Sequence, residues 1–288
     1  MSASIKIENL TYVYGVGTPF EIKAVDNVSV EIEKGALTGL IGHTGSGKST
    51  LLQHLNGLLK PASGKILLNG EDIWANPKRI RDVRFKVGLV FQYPEYQLFE
   101  ESVYKDVAFG PQNMGLSDFE VSERVHEAIS FAGLEESILD ESPFEISGGQ
   151  KRRVAIAGVM AMRPEVLILD EPTAGLDPMG REDMLKNIKK YQEEGRRSVL
   201  FVTHNMNDIA RVAKNIIVMD HGRIALSGSL DEVFLREEEL LQMGLDIPDM
   251  LKLMRLLEKG GLRFDRPVYT VPAMLETLLL MKGGLANA

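Results

Sequence analysis

Apolar and polar residues alternate from position 4 to 14 and again from Val25 to Ile32, the two-residue period of strands with one wet face. The turn-rich run Gly15-Val-Gly-Thr-Pro-Phe20 separates them. Ala36–Ile41 reads as a short buried strand entering a glycine-rich bend. Ser49 to Leu59 then has the helical spacing, with Leu51, Leu52, Leu55, Leu58 and Leu59 on one side and Pro61 as the stop. Residues 66–90 return to strand character around the loop Asn69-Gly70.

From about residue 117 the period lengthens. Ser117 and Glu120 have capping-box spacing, Val121, Val125 and Ile129 follow at four-residue intervals, and Gly133 ends the run. A second helix is predicted from Gln150 to Met162. Val166–Leu169 and Ser198–Val202 are unbroken apolar runs, the mark of parallel strands covered on both faces. Beyond Gly228 another capping-box pair, Ser229 and Glu232, opens a Leu/Met-rich helical tail with breaks at Pro248, Gly260-Gly261 and Pro272. The predicted fold is therefore α/β: a β-rich N-terminal region, an α/β core, an inserted helical block at about 95–165, and a small C-terminal helical appendix. The main domain is placed at 1–246 and the appendix at 247–288.

Composition sets outer bounds. At 44% hydrophobic and 26% charged over 288 residues the chain is an ordinary globular protein. It has no cysteine, which removes disulfides, thiolate metal sites and cysteine nucleophiles. The charged start, Met1 to Leu10, is not a signal peptide, and no apolar run approaches the roughly 20 residues that span a bilayer. A net charge of −8 argues against nucleic-acid coating. The basic cluster Lys78–Arg84 reads as a solvated helix face.

Three motifs carry chemistry. Gly42-His43-Thr44-Gly45-Ser46-Gly47-Lys48-Ser49-Thr50 satisfies G-x-x-x-x-G-K-[S/T] between a buried strand and a helix. Its glycines let successive N–H groups converge on phosphate oxygens. Lys48 would reach the terminal phosphates of ATP, and the Ser49 hydroxyl would ligate Mg²⁺. Val166-Leu-Ile-Leu-Asp170-Glu171 ends an apolar strand in two carboxylates at the sheet's carboxyl edge, where α/β sheets bind ligands. There Asp170 suits the Mg²⁺ shell and Glu171 is free to polarise a water. Ser147, Gly148, Gly149 and Gln150 follow Ile146 and open a helix, a second anion-receptive end.

This last run resembles the signature of the ATP-binding-cassette (ABC) family, usually Leu-Ser-Gly-Gly-Gln, with Ile146 in place of leucine. The resemblance spans residues 4 to about 230. It implies that the signature of one subunit covers the γ-phosphate held by another. It also implies that Gln92 is the Q-loop glutamine at the metal, that Ala174–Pro178 is the interface D-loop, and that His204 is the switch histidine. Tyr14 would stack on adenine, with Tyr12 a rival on the same side of the strand.

Non-transport relatives fit poorly, since the chain has neither a long coiled-coil insertion, nor zinc-binding cysteines, nor a second cassette. Six aromatics between Phe91 and Phe109 suit a groove for a helix of a membrane partner. Packing of the helical block on the core is their other use. Phe91-Gln-Tyr-Pro-Glu-Tyr-Gln-Leu-Phe99, Gly17–Ala24, Val154–Val159 and the tail resemble the energy-coupling-factor (ECF) transporter ATPases. Asp170–Pro178 is similar to the second of their two A-type subunits. That resemblance implies a heterodimer with a sister ATPase, a transmembrane T subunit and exchangeable S subunits importing vitamins or other micronutrients. It places the chain peripherally on the cytoplasmic face of the cell membrane. The runner-up is the homodimeric ATPase of a conventional ABC importer.

Overall fold

The computed structural model describes residues 3–285. Residues 1, 2 and 286–288, at the ends of the two predicted regions, lie outside the described residues. Two sheets organise the chain. In the first, β1 (Ala3–Tyr14), β2 (Ile22–Glu33), β4 (Ser63–Leu68) and β5 (Glu71–Asp72) pair antiparallel in the order β2-β1-β4-β5. Ile7 stands opposite both Val30 and Ile66, so one apolar face runs across three strands.

The second sheet has the order β10-β9-β3-β8-β7-β6. It contains β3 (Leu37–Ile41), β6 (Val87–Val90), β7 (Val166–Asp170), β8 (Ser198–Val202) and β9 (Asn215–Asp220), all parallel, with β10 (Arg223–Ser229) antiparallel at the edge. Side chains alternate across it. Ile41, Leu169 and Phe201 enter one core with α3 (Val103–Asn113), α4 (Asp118–Phe131) and α5 (Gly148–Met160). Leu40, Ile168 and Val202 enter another with α1 (Lys48–Leu55) and the antiparallel sheet. Helices α1 and α5 thus pack on opposite faces of the parallel sheet.

Several boundaries differ from those expected. Helix α1 ends at Leu55 rather than Leu59, because Gly57 takes φ +68° and the Leu58 amide turns back to the Gln53 carbonyl, a glycine C-terminal cap ahead of Pro61. The strand character expected through residue 90 is broken by α2 (Ile80–Lys86). Asn76 caps the preceding turn by accepting the Lys78 amide, and Val83 packs on the core while the basic residues stay outside. The Lys78–Arg84 cluster is accordingly a helix face. Helix α3 lies inside the helical block expected at about 95–165, ahead of the first helix read there from about residue 117. Pro111 within it removes only one amide, close to its C-terminal end.

The Ser117–Glu120 and Ser229–Glu232 capping boxes form as expected, opening α4 and α8 (Leu230–Phe234). After α6 (Pro178–Gly195), α7 (Met206–Val212) and α9 (Glu237–Gln242), the tail holds α10 (Asp249–Lys259) and α11 (Val271–Leu285). Pro272 does not break α11. It lies in the first turn, where a missing amide costs nothing.

Phe201, fully buried in the central strand β8, tests how far the sheet sets the site. Phe201→Ala is expected to cost about 3–5 kcal/mol through the cavity it leaves. Urea denaturation should show a lower midpoint at unchanged slope.

Candidate functional site

The parallel strands deliver their chemistry to one edge. Ile41 ends β3, and the chain bends through Gly42–Gly47 into α1. Gly47 caps that helix at φ +100°, and a Cβ there would sit 2.3 Å from the Ala24 carbonyl oxygen. A Cβ at Gly42 would meet the Met219 carbonyl oxygen at 2.4 Å. The loop's curl therefore demands glycine at both ends. Lys48 folds back over it, its Nζ donating to the carbonyls of Gly42 at 2.7 Å and His43 at 2.9 Å. Burial lowers the Lys48 pKa, while the charges of Asp170 and Glu171 oppose that shift.

Asp170 is the last residue of β7, in register with Val202. Burial, and secondarily the neighbouring Glu171 charge, push its carboxyl up to about 6, with Lys48 only partly compensating. Such a group is short of positive charge. Glu171 occupies the left-handed backbone region at φ +53°, rare for a non-glycine residue. Its amide is held by the Val202 carbonyl at 2.9 Å. Its carboxylate accepts the Thr203 hydroxyl at 3.1 Å and the His204 amide at 2.9 Å, and lies 2.8 Å from His204 Nδ1. The imidazole of His204 is otherwise 80% exposed. Lys48, Asp170, Glu171 and His204 thus gather at one sheet edge.

The remaining predicted residues fall into three groups. Tyr14 is exposed at the end of β1, its hydroxyl 3.3 Å from Thr50 Oγ1, so it stands beside the loop. Tyr12 lies behind it, edge-on to Tyr14 and His54. Gln92 is exposed just past β6, next to the carboxylate-bearing β7. Ser147 and Gln150 cap α5 reciprocally, Gln150 Oε1 accepting the Ser147 amide at 2.9 Å. Ser147 and Gly148 are exposed and Gly149 and Gln150 half-buried, at the start of a helix that packs on the opposite face of the sheet from α1.

The whole chain has known relatives. Residues 25–174 match the family described as ABC transporter. The energy-coupling factor transporter ATP-binding protein EcfA2 of Clostridium acetobutylicum is 56% identical over 276 residues, 96% of either chain. That of Bacillus subtilis is 49% identical, over 92% of this chain and 98% of its own. The chain belongs to the ABC transporter family. Both of these full-length relatives are ECF transporter ATP-binding proteins. Among solved structures, cbiO1 from Clostridium perfringens, part of the ABC transporter complex cbiONQ, superposes with a TM-score of 0.75 at 40% identity, over 91% of this chain and 100% of its own. A bacterial ABC transporter cassette solved as a dimer gives 0.72 at 31% identity, over 78% and 98%. The chain is accordingly an ABC ATPase, one whose hydrolysis is coupled to transport.

An ABC cassette must tie its loops together, and here the ties are residues that motif reading passed over. Arg152, buried in α5 after the signature, makes two hydrogen bonds to Glu95, three residues beyond Gln92. Asp208 in α7 is fully buried and accepts the Thr173 hydroxyl at 2.9 Å and Arg181 Nε at 2.8 Å. It thereby joins the segment after Glu171 to the start of α6. Asn207 pairs twice with Asp249, at 2.7 and 2.9 Å, fastening α7 to the appendix helix α10. Only the placement of Thr203 directly before His204 was a visible signal, since a hydroxyl there can reach back to the neighbouring strand's carboxylate. Among the described residues no helix is long and apolar enough to cross a membrane.

The raised Asp170 pKa fixes a pH dependence for the nucleotide-free, metal-free chain. Its stabilising effect is fully present below the unfolded value of 3.8 and is lost as pH rises through about 6, because the charged form is the one that burial penalises. Asp170→Asn should therefore stabilise the protein above pH 6, by on the order of 3 kcal/mol. The gain should shrink as pH falls toward 4. Urea midpoints of both proteins at pH 7.5 and 4.5 measure it, and a gain independent of pH would remove the buried charge as its cause.

Proposed function

We propose that this chain is the second A-type ATPase of an ECF-type importer, acting as a heterodimer with a sister ATPase on the cytoplasmic face of the cell membrane. The observation that carries the reading is the separation of two anion-receptive ends. The phosphate loop opens α1 on one face of the parallel sheet, and the Ser147-Gly-Gly-Gln150 run opens α5 on the other. Neither end closes over a triphosphate within one chain, so a second cassette supplies the cover.

The residues present fit ATP and Mg²⁺. The loop curls so tightly that a Cβ at Gly42 or Gly47 would strike the carbonyl oxygen of Met219 or Ala24, and the buried Asp170 lacks sufficient positive charge. Gly42, His43, Thr44, Gly45, Ser46, Gly47, Lys48, Ser49 and Thr50 would hold the phosphates, Tyr14 the adenine, and Ser49, Gln92 and Asp170 the metal. Bound Mg²⁺ would neutralise charge developing on the transferred phosphoryl group. Lys48 exchanges its loop carbonyls for phosphate oxygens, a charge-assisted replacement. Glu171, its carboxylate oriented by Thr203 and His204, accepts a proton from the attacking water. His204 is exposed enough to swing between that carboxylate and a γ-phosphate. Ser147, Gly148, Gly149 and Gln150 cover the nucleotide of the partner.

A groove of about 430 Å³ lies between α2, α3 and α5, with Phe85, Phe99 and Phe109 in its wall and Arg81 and Arg84 at its rim. It borders the segment after Gln92, and its aromatic lining suits a helix of the T subunit. S subunits carrying vitamins or other micronutrients would join through T. Helix α11 leaves Val271, Leu275 and Leu279 exposed at four-residue spacing, an apolar stripe that supports a contact with the sister ATPase.

Two experiments test this. Glu171→Gln should bind ATP, accumulate closed dimers and lower kcat by about a hundredfold or more. ATPase assays and size-exclusion chromatography of the complex read both effects, and normal turnover would take the base role from Glu171. Deleting residues 247–288 should weaken co-purification with the sister subunit while ATP still binds. A homodimer that associates with conventional permeases would instead favour the ordinary ABC importer.

A further inference from the structure

We propose that His43, Asp220 and His221 form a site for a first-row transition metal ion such as Zn²⁺, joining the phosphate loop to the β9–β10 turn. Nothing in the nucleotide chemistry uses these side chains together. One ring nitrogen each of His43 and His221 and a carboxylate oxygen of Asp220 all lie within 4.8 Å of one another. His43 Nε2 is 3.0 Å and His221 Nε2 3.8 Å from Asp220 Oδ1, and the two rings have centroids 5.1 Å apart. Ligands about 2.0–2.1 Å from a tetrahedral zinc stand roughly 3.3 Å from each other, so the triad sits within small rotamer adjustments of a zinc cage.

The hydrogen bonding of His43 points the same way. Its Nδ1 lies 2.7 Å from the Thr44 carbonyl oxygen and its Nε2 faces Asp220, so both ring nitrogens meet acceptors. A neutral imidazole has one N–H to give. With that proton on Nδ1, donated to a backbone carbonyl, the Nε2 lone pair and the carboxylate converge on a point that wants a cation. A ring nitrogen donating to a backbone carbonyl while its partner ligates is the orienting arrangement of metal-bound histidines. Two imidazoles and one carboxylate, with the remaining position open to solvent, match zinc and its neighbours and not Mg²⁺, which prefers oxygen donors.

The location gives the site its consequence. His43 is the first variable residue of the phosphate loop, while Asp220 and His221 end β9 and turn the chain into β10. A bound ion would staple the two, adding a coordinate tie beside the hydrogen bond from the Gly222 amide to the Ser46 carbonyl at 3.0 Å.

Calorimetric titration of the full-length, nucleotide-free protein with zinc chloride at pH 7.5 tests this. The wild type should bind one equivalent most tightly, and His221→Asn should weaken that step at least about tenfold. Asparagine tolerates the left-handed backbone that His221 adopts at φ 43°, so the turn survives. Asp220→Asn should act in the same direction. His126→Ala, remote from the triad, should leave the step unchanged. Wild-type affinity in His221→Asn overturns the proposal, and so does loss of the tight step in His204→Ala, which would put the ion on Glu171.

Discussion

The structure depends on keeping charge of both signs partly dry at the end of a parallel sheet. Lys48, Asp170 and Glu171 lie where β3 and β7 run out, and burial disfavours the charged forms of Lys48 and Asp170. Each offsets part of the other's burial, yet their mutual attraction does not cancel the cost. A polyanion with a divalent cation would complete the balance, so affinity for the nucleotide is built into the unliganded fold as unsatisfied charge. The same deficit explains why Lys48 bends onto the carbonyls of its own loop: they are the nearest acceptors until phosphate oxygens arrive.

Around that edge the chain spends its other polar contacts on coupling. Glu171 reaches across to β8 through Val202, Thr203 and His204, so backbone and side-chain bonds tie the two strand ends together. Asp208, one turn along α7, holds Thr173 and Arg181, which carries the same rigidity toward the Asp177-capped start of α6. On the other face, the Arg152–Glu95 pair links the signature helix to the chain just after Gln92. Breaking either buried partner leaves an unpaired charge, which makes these contacts costly to lose even where they add little net stability.

Much of this was legible in the sequence because its periods are set by local physics. The alternation of β1 and β2, the unbroken apolar runs of β7 and β8, and both capping boxes follow from side-chain spacing alone. The phosphate loop was legible because its glycines answer a steric demand. Helix α2 was legible only as the basic face Lys78–Arg84, because Ile80 and Val83 are too few to set a helical period against the strand-like residues around them, and helix and strand propensities differ by less than tertiary packing supplies. The buried ties were hidden for a different reason. Arg152 and Glu95, or Asp208 and Thr173, lie 57 and 35 residues apart, and nothing in their neighbourhoods shows which charge each will meet.

The appendix joins this logic through a single helix. Asn207 stands three residues after His204, in the first turn of α7, and its amide and Asp249 satisfy each other in both directions. Asp208, the next residue, is already committed to Thr173 and Arg181. Helix α7 therefore cannot shift without disturbing both the segment behind Glu171 and the first turn of α10. Helix α11, with Val271, Leu275 and Leu279 exposed, follows α10 in the same tail, and α10 is bonded to the helix that follows His204. The tail and the segment behind Glu171 thus meet at α7, through Asn207 and Asp208 at adjacent positions of its first turn.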